Sequence, residues 1–143
     1  MPTVVSDTVI TADKTVTAWD IDTGAKRWET DLSPISVEAP LKTDSETVYI
    51  GASQGLGGAI HALDTETGES KWTATMDSRI SSEVAVGDNA VYAVDDGGLF
   101  KRIEDGQTIW EIDLDGVEFR TLDGHEFFSP ILVDDAVIVP QIY

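Results

Sequence analysis

The chain has 143 residues, 41% of them hydrophobic, which is enough for one domain with a core and too many for a disordered segment. Acidic residues number 27 against 9 basic ones, and the resulting formal charge of −18 argues against nucleic acid as a partner, because phosphate recognition needs basic patches. Cysteine is absent, which excludes disulfides and thiolate metal sites, and no apolar run reaches the ~18 residues of a membrane span, so direct membrane insertion is not expected.

Residues 1–20 lack the basic-then-apolar pattern of a secretory leader; a longer parent is compatible with an extracytoplasmic location. A first strand is expected from Pro2, a second across SDTVI at 6–10, and a third running into AWDIDTGAKRW at 18–28. The next stretch repeats that order, with strands at 37–43, 47–53, 58–64 and 70–76. Thr43-Asp44-Ser45, Gly55-Leu56-Gly57-Gly58 and Thr67-Gly68 punctuate them. Their Val, Ile, Thr, Tyr and Trp suit a pleated surface, and no window shows the period of about 3.6 that marks a helix.

Three ladders then run the length of the chain. ALDTETGESKW at 62–72 shares Ala, Asp, Thr, Gly and Trp with the block at 18–28. A weaker copy at 100–110, FKRIEDGQTIW, keeps Gly106 and Trp110 but sets Arg102 where the others have Asp20 and Asp64. Val9, Val48, Val91 and Val137 form a second ladder, preceded by Pro2, Pro40, Val84 and Pro130. The shared period is about 42 residues, the length of a four-stranded propeller blade. The expected fold is all-β: a partial β-propeller of four-stranded antiparallel blades, about three and a half of them in an open arc. Blades are assigned to 2–32, 36–76 and 82–114, with a half blade at 128–142.

The blocks have a mechanical reading. Gly24, Gly68 and Gly106 are placed to take the positive φ of a hairpin between the third and fourth strands. Asp22, Asp64 and Asp105 are placed to accept hydrogen bonds within those turns. Trp28, Trp72 and Trp110 open the fourth strand, where an indole can bury a large area against the next blade.

The pattern Ala-x-Asp-x-x-Thr-Gly-x-x-x-Trp resembles the tryptophan-docking motif of the pyrroloquinoline quinone (PQQ)-type propeller repeat. It is complete at 18–28 and 62–72 and partial at 100–110. The resemblance implies that Trp28, Trp72, Trp110, Gly24, Gly68, Gly106, Asp20 and Asp64 are structural and tie adjacent blades together. It also implies a family containing both eight-bladed quinoprotein dehydrogenases and non-catalytic propellers, among them a bacterial outer-membrane barrel-assembly lipoprotein. The dehydrogenases hold calcium beside the quinone with carboxylate and amide ligands, use an Asp base, and often carry a Cys pair. No segment here matches that ligand set, there is no Cys, and Asn89 is the single Asn, so no PQQ-binding or catalytic residue is carried over.

Other candidates are weaker. Trp19, outside the docking position, is expected on a blade face. Asp95-Asp96-Gly97-Gly98 and Asp134-Asp135 pair hard oxygen ligands, yet in so acidic a chain they read as solvated turns. His61 belongs to a strand face, and no second His or Cys stands at metal-ligand spacing. No Gly-x-Ser-x-Gly elbow is present. The loop at 115–127 is longer than the equivalent connections, and extra length in repeat proteins maps to one face, often the binding face. Gln54, Arg79, Arg120 and His125 are therefore the candidate binding surface.

The function expected from these residues is a non-catalytic PQQ-like scaffold without a cofactor. It would bind a protein or ligand, or associate with itself through blade edges. The alternative is a piece of a PQQ- and calcium-dependent quinoprotein dehydrogenase whose catalytic residues lie elsewhere. A sensor propeller attached to a kinase or membrane anchor is a third reading. The acidic surface, low lysine and ordinary core point to a salt-adapted protein of a haloarchaeon or other halophile, because molar salt shortens the Debye length to about 3 Å and screens self-repulsion. The melting temperature is accordingly expected to rise steeply between low and molar KCl; a flat profile would remove the salt-adaptation reading.

Overall fold

The computed structural model describes residues 2–37, 40–80, 84–87, 89–114, 131–133 and 136–138. All regular structure among them is β, with no α-helix. The first sheet runs β1 (Thr3–Val5), β2 (Thr8–Ala12), β3 (Thr15–Asp20) and β4 (Lys26–Asp31), each antiparallel to the last. The second contains β5 (Ser36–Val37), β6 (Lys42–Thr43), β7 (Thr47–Gln54), β8 (Gly57–Asp64) and β9 (Ser70–Met76). The third is β10 (Ala85–Val86), β11 (Val91–Val94), β12 (Leu99–Glu104) and β13 (Gln107–Asp113). A last antiparallel pair, β14 (Ile131–Val133) and β15 (Ala136–Ile138), begins a fourth sheet.

The sheets pack face to face around an incomplete ring. β1 lies against β6, β6 against β10, and β10 against β14, so the opening strands line the inside of the arc. The arc is open, as the repeat count predicts: an all-β partial propeller.

Burial follows from that stacking. Ile10, Val16, Ala18 and Trp28 on one face of the first sheet meet Val48, Ile50 and Leu63 of the second. Ile60, Ala74 and Met76, on the other face of the second sheet, meet Val91, Ala93 and Ile103 of the third. β7 is therefore buried on both faces, whereas β2, in the terminal sheet, alternates buried and half-buried residues. Fully burying an Ile, Leu or Val of this kind contributes about 1.5–3 kcal/mol.

Two sequence expectations change. The opening strand of the second blade, expected at 37–43, is split into β5 and β6, which pair with opposite ends of β7. Pro40, which has no N–H to give a ladder, stands between them. The alignment of the third block also shifts. Each of the three outer strand pairs carries a register shift, at Ala18/Trp19, Ala62/Leu63 and Arg102/Ile103. Superposing these bulges puts Arg102 in the place of Ala18 and Ala62. Glu104, not Arg102, then takes the place of Asp20 and Asp64. The cause is a shorter hairpin: Glu104 pairs with Gln107, leaving only Asp105 and Gly106 in the turn, with φ of +48° and +81°.

Candidate functional site: blade junctions and the loop face

The β3–β4 and β8–β9 hairpins share one turn. Asp20 Oδ1 accepts the N–H groups of Asp22 (3.0 Å) and Thr23 (2.9 Å), and Gly24 N–H donates to the Asp20 carbonyl at 2.9 Å. Asp64 repeats this with Glu66 (2.8 Å), Thr67 (3.0 Å) and Gly68 (2.9 Å). The turn is thus nucleated by the carboxylate that opens it. Asp20, rather than the expected Asp22, accepts in the first hairpin. Asp105 was also expected to accept; in its two-residue turn it supplies a positive φ instead. The Arg27 guanidinium, then the turn's own donors, hold the Asp20 carboxyl well below the usual range. For Asp64 the two backbone N–H groups act first.

The β8–β9 turn seats the preceding blade's tryptophan. Trp28, 9% exposed, lies across Gly68 so closely that a Cβ on that glycine would sit 2.4 Å from ring atom Cε3. Its Nε1 donates to the Thr65 carbonyl at 2.9 Å, and the Thr30 hydroxyl donates to the Gly68 carbonyl at 2.6 Å. Trp72 lies against Gly106 in the same sense, a Cβ there falling 2.9 Å from the Trp72 Cβ. Trp110 packs edge-on to Phe100, with centroids 5.1 Å apart, and beside Tyr92 at 6.2 Å. Gly24 has the same turn and φ of +71°, but nothing within 4 Å of where its Cβ would be. Trp19 is not in such a seat; it lies on β3, its indole N–H donating to the Thr11 hydroxyl at 3.0 Å.

A basic residue at each of the first two bulges, unnoticed in the sequence, fastens those two blades from outside. Arg27 binds both carboxylate oxygens of Asp7 (2.8 and 2.9 Å), Asp20 (2.7 Å) and the Thr8 hydroxyl (2.7 Å). Lys71 donates to the Thr47 hydroxyl at 2.8 Å and to the Glu46 carbonyl at 3.1 Å. The third blade replaces the pair with Ala90 and Ile109, and Ile109 is 50% exposed. Comparing copies position by position, Thr8 with Arg27 against Thr47 with Lys71, was the available signal.

On the opposite side of the arc lie the β7–β8 and β11–β12 hairpins and the connections between blades. Asp95, expected to be a solvated turn residue, is 1% exposed. Its carboxylate accepts N–H groups from Ser78 (3.0 Å), Gly97 (3.0 Å) and Leu99 (2.9 Å), enough donors to replace water. With Asp96 N–H on the Arg79 carbonyl (2.8 Å), this latches the β11–β12 hairpin to the segment between the second and third blades. Ile80 N–H reaches the Ser53 hydroxyl at 3.3 Å, so Gln54 and Arg79 lie on the same side. Leu56 projects 90% exposed from the β7–β8 turn. Arg120, His125, Asp134 and Asp135 lie outside the described residues.

His61 stands in a cross-strand row with Ile50 and Thr73, facing the first sheet. Its Nδ1 is 3.3 Å from the Thr73 hydroxyl, and Nε2 is buried without a partner among the described residues. Burial lowers its pKa. At the second junction, where the hairpin is shorter, a cleft of about 570 Å³ opens over Trp72, Tyr49 and Arg102. Burial, then the hydrogen bond to Asp44 at 3.0 Å, pushes the Tyr49 hydroxyl up to about 12. Among the described residues no three acidic or histidine side chains converge on a point that would hold a metal. These residues do not fit the calcium and quinone site of the dehydrogenases.

The PQQ-type repeat model described as outer membrane protein assembly factor BamB matches residues 4–142. The chain belongs to that family. BamB from Moraxella catarrhalis is 26% identical with a TM-score of 0.67, over 95% of this chain and 43% of that one. The computationally designed Ika8 protein is 21% identical with a TM-score of 0.74, over 98% of this chain and 42% of that one. Quinohemoprotein alcohol dehydrogenase ADHIIG from Pseudomonas putida HK5 shares the fold at 14% identity and a TM-score of 0.71, over 98% of this chain and 30% of that one. The chain thus spans less than half the length of each of these three proteins. No curated protein matches it.

Two expectations test the junctions. Gly68→Ala adds overlap with Trp28 to left-handed strain and should cost about 2–5 kcal/mol, whereas Gly24→Ala meets only the strain, about 1–2 kcal/mol. Urea midpoints measure the difference, and equal losses would deny the seat its importance. For His61 the folded pKa lies below the unfolded one, so the folded state holds fewer protons. Its contribution to stability is complete above about pH 6.5 and declines as pH falls through that value toward the folded pKa. His61→Thr, the residue Thr17 supplies in the first blade, should flatten the stability profile between about pH 7 and 5.

Proposed function

We propose that this chain is a non-catalytic, BamB-like propeller segment that binds another protein through its loop face. The observation that carries the reading is Leu56, a large apolar side chain held in solvent at the β7–β8 turn, two residues from Gln54 and on the side of the arc that also carries Arg79. Loops carry function when a rigid scaffold positions them, and the buried Asp95 latch supplies that rigidity on this side. Likeness to an outer-membrane protein assembly factor supports a protein as the ligand. Arg120 and His125 join the surface by sequence order alone. The charge of −18 supports a salt-adapted, halophilic setting, in which binding leans on apolar contact because long-range charge steering is screened.

The test is affinity capture in molar KCl from an extract of the source organism, quantified for wild type and Leu56→Asp. A protein enriched by wild type and reduced at least about tenfold by the variant is expected, a loss of roughly 1.4 kcal/mol or more. Identical captures would reject the loop face. In parallel, PQQ and calcium are added and dye-linked oxidation of alcohols and sugars is followed. No turnover is expected, and measurable turnover would favour the quinoprotein dehydrogenase reading.

A further inference from the structure

The second blade junction holds an aromatic-walled cleft that the first lacks. At each junction a space lies between the first turn of one blade and the turns of the next. At the first junction it is about 380 Å³, its lining includes Arg27, Thr65 and Glu66, and no aromatic residue among the described ones borders it. Trp28 is sealed beneath the β8–β9 turn, with its N–H on the Thr65 carbonyl. That turn has four residues, Thr65 to Gly68, between Asp64 and Glu69, whose backbones bond at 2.8 Å. The β12–β13 turn has two, Asp105 and Gly106. With a shorter turn over it, Trp72 joins Tyr49 in the wall of a cleft of about 570 Å³.

The chemistry of that wall is specific. Tyr49 and Trp72 meet at 6.0 Å between ring centroids with planes 44° apart, an angled aromatic corner. Around it stand Asp44, Glu46, Glu104 and Asp105 against one basic lining residue, Arg102. Arg102 is itself paired with Glu104 and rests 5.9 Å from the Tyr92 ring. Asp44 accepts the N–H groups of Glu46 (2.9 Å) and Thr47 (2.8 Å) and the Tyr49 hydroxyl (3.0 Å), three neutral donors that leave its charge in place. The Tyr49 hydroxyl registers the resulting field. After burial and the Asp44 hydrogen bond, the charges of Asp44 and Asp105 both hold its proton on.

The cleft is therefore anionic and aromatic at once. A metal ion is the wrong occupant, because no three acidic or histidine side chains converge on one point among the described residues. A neutral ligand would leave the excess carboxylate charge unanswered. A quaternary or methylated ammonium answers both features: it presents positive charge through methyl groups that rest on aromatic faces. In molar KCl long-range attraction is screened, so contact with the rings favours such a weakly hydrated cation over a hydrated alkali ion.

We propose that this cleft is a binding site for a free small organic cation of the quaternary or N-methylated ammonium class. Its head group rests on Trp72 and Tyr49, and Asp44, Glu46 and Asp105 supply the counter-charge. A cleft of this volume falls in the range that encloses whole small molecules. It lies on the turn side of the arc, away from Leu56, and stands independently of the loop-face reading.

The probe is choline, titrated into the whole chain in molar KCl and followed by saturation transfer from the protein to its methyl protons. Its neutral carbon isostere, in which a tert-butyl group replaces the trimethylammonium, is titrated alongside. Saturation below about 10 mM choline is expected, at least about tenfold tighter than the isostere, a comparison that needs no variant. Glu46→Gln combined with Asp105→Asn should weaken choline about fivefold or more with an unchanged circular dichroism spectrum, because Asn tolerates the left-handed φ of residue 105. Equal affinity for the isostere, no saturation, or full affinity in the folded double variant would each overturn the proposal. So would tighter binding of glucose, which would mark a neutral-sugar site, or of a trimethyllysine peptide, which would make a protein the ligand.

Discussion

An indole lying on a glycine is the contact from which the rest of this structure follows. For Trp28 to cross from its own blade to the next, the receiving turn must bring a backbone within reach and must lack a side chain there. A left-handed glycine satisfies both conditions, and Asp64 holds it in place by gathering the turn's free N–H groups. The donor side has its own requirements. Ala18 sits directly across from Trp28, and Ala62 across from Trp72, which leaves room for the ring beside the strand. The bulge beside each pair adds twist where the outer strand approaches the next blade.

The three copies show this arrangement decaying along the chain. In the first junction the ring, its N–H and a neighbouring hydroxyl are all engaged, and Arg27 clamps the outside of the donor blade. In the second the ring still meets a glycine, but the shortened hairpin leaves a cleft above it. In the third blade the basic clamp has become Ile109, and Arg102 replaces the small residue opposite the tryptophan, resting 5.9 Å from the Tyr92 ring. Each loss exposes apolar or aromatic surface that the earlier copies cover.

Much of this was legible in the sequence because the repeat is its own control. The period located the strands, and the Thr-Gly turns located the positive φ values at Gly24 and Gly68. What failed were inferences made at fixed spacing. Counting back from Trp110 aligned Arg102 with Asp20, and only the bulge register shows that the hairpin had lost residues between them. Asp95 read as solvated because an acidic chain makes paired aspartates unremarkable; its burial depends on Ser78, from a different blade connection, which no local pattern reveals. Arg27 and Lys71 escaped notice because each chooses different acceptors despite sharing one position.

The Trp28 N–H ends on a carbonyl, not on a side chain. The receiving position can therefore be threonine at 65 or isoleucine at 21 without changing the bond on offer. A junction written in main-chain atoms imposes little on the amino acids around it, so neighbouring repeats can drift apart while still interlocking. The same indifference makes a blade a transferable unit: a duplicated or recombined copy arrives already compatible with whatever blade it lands beside, provided it keeps its glycine and its tryptophan.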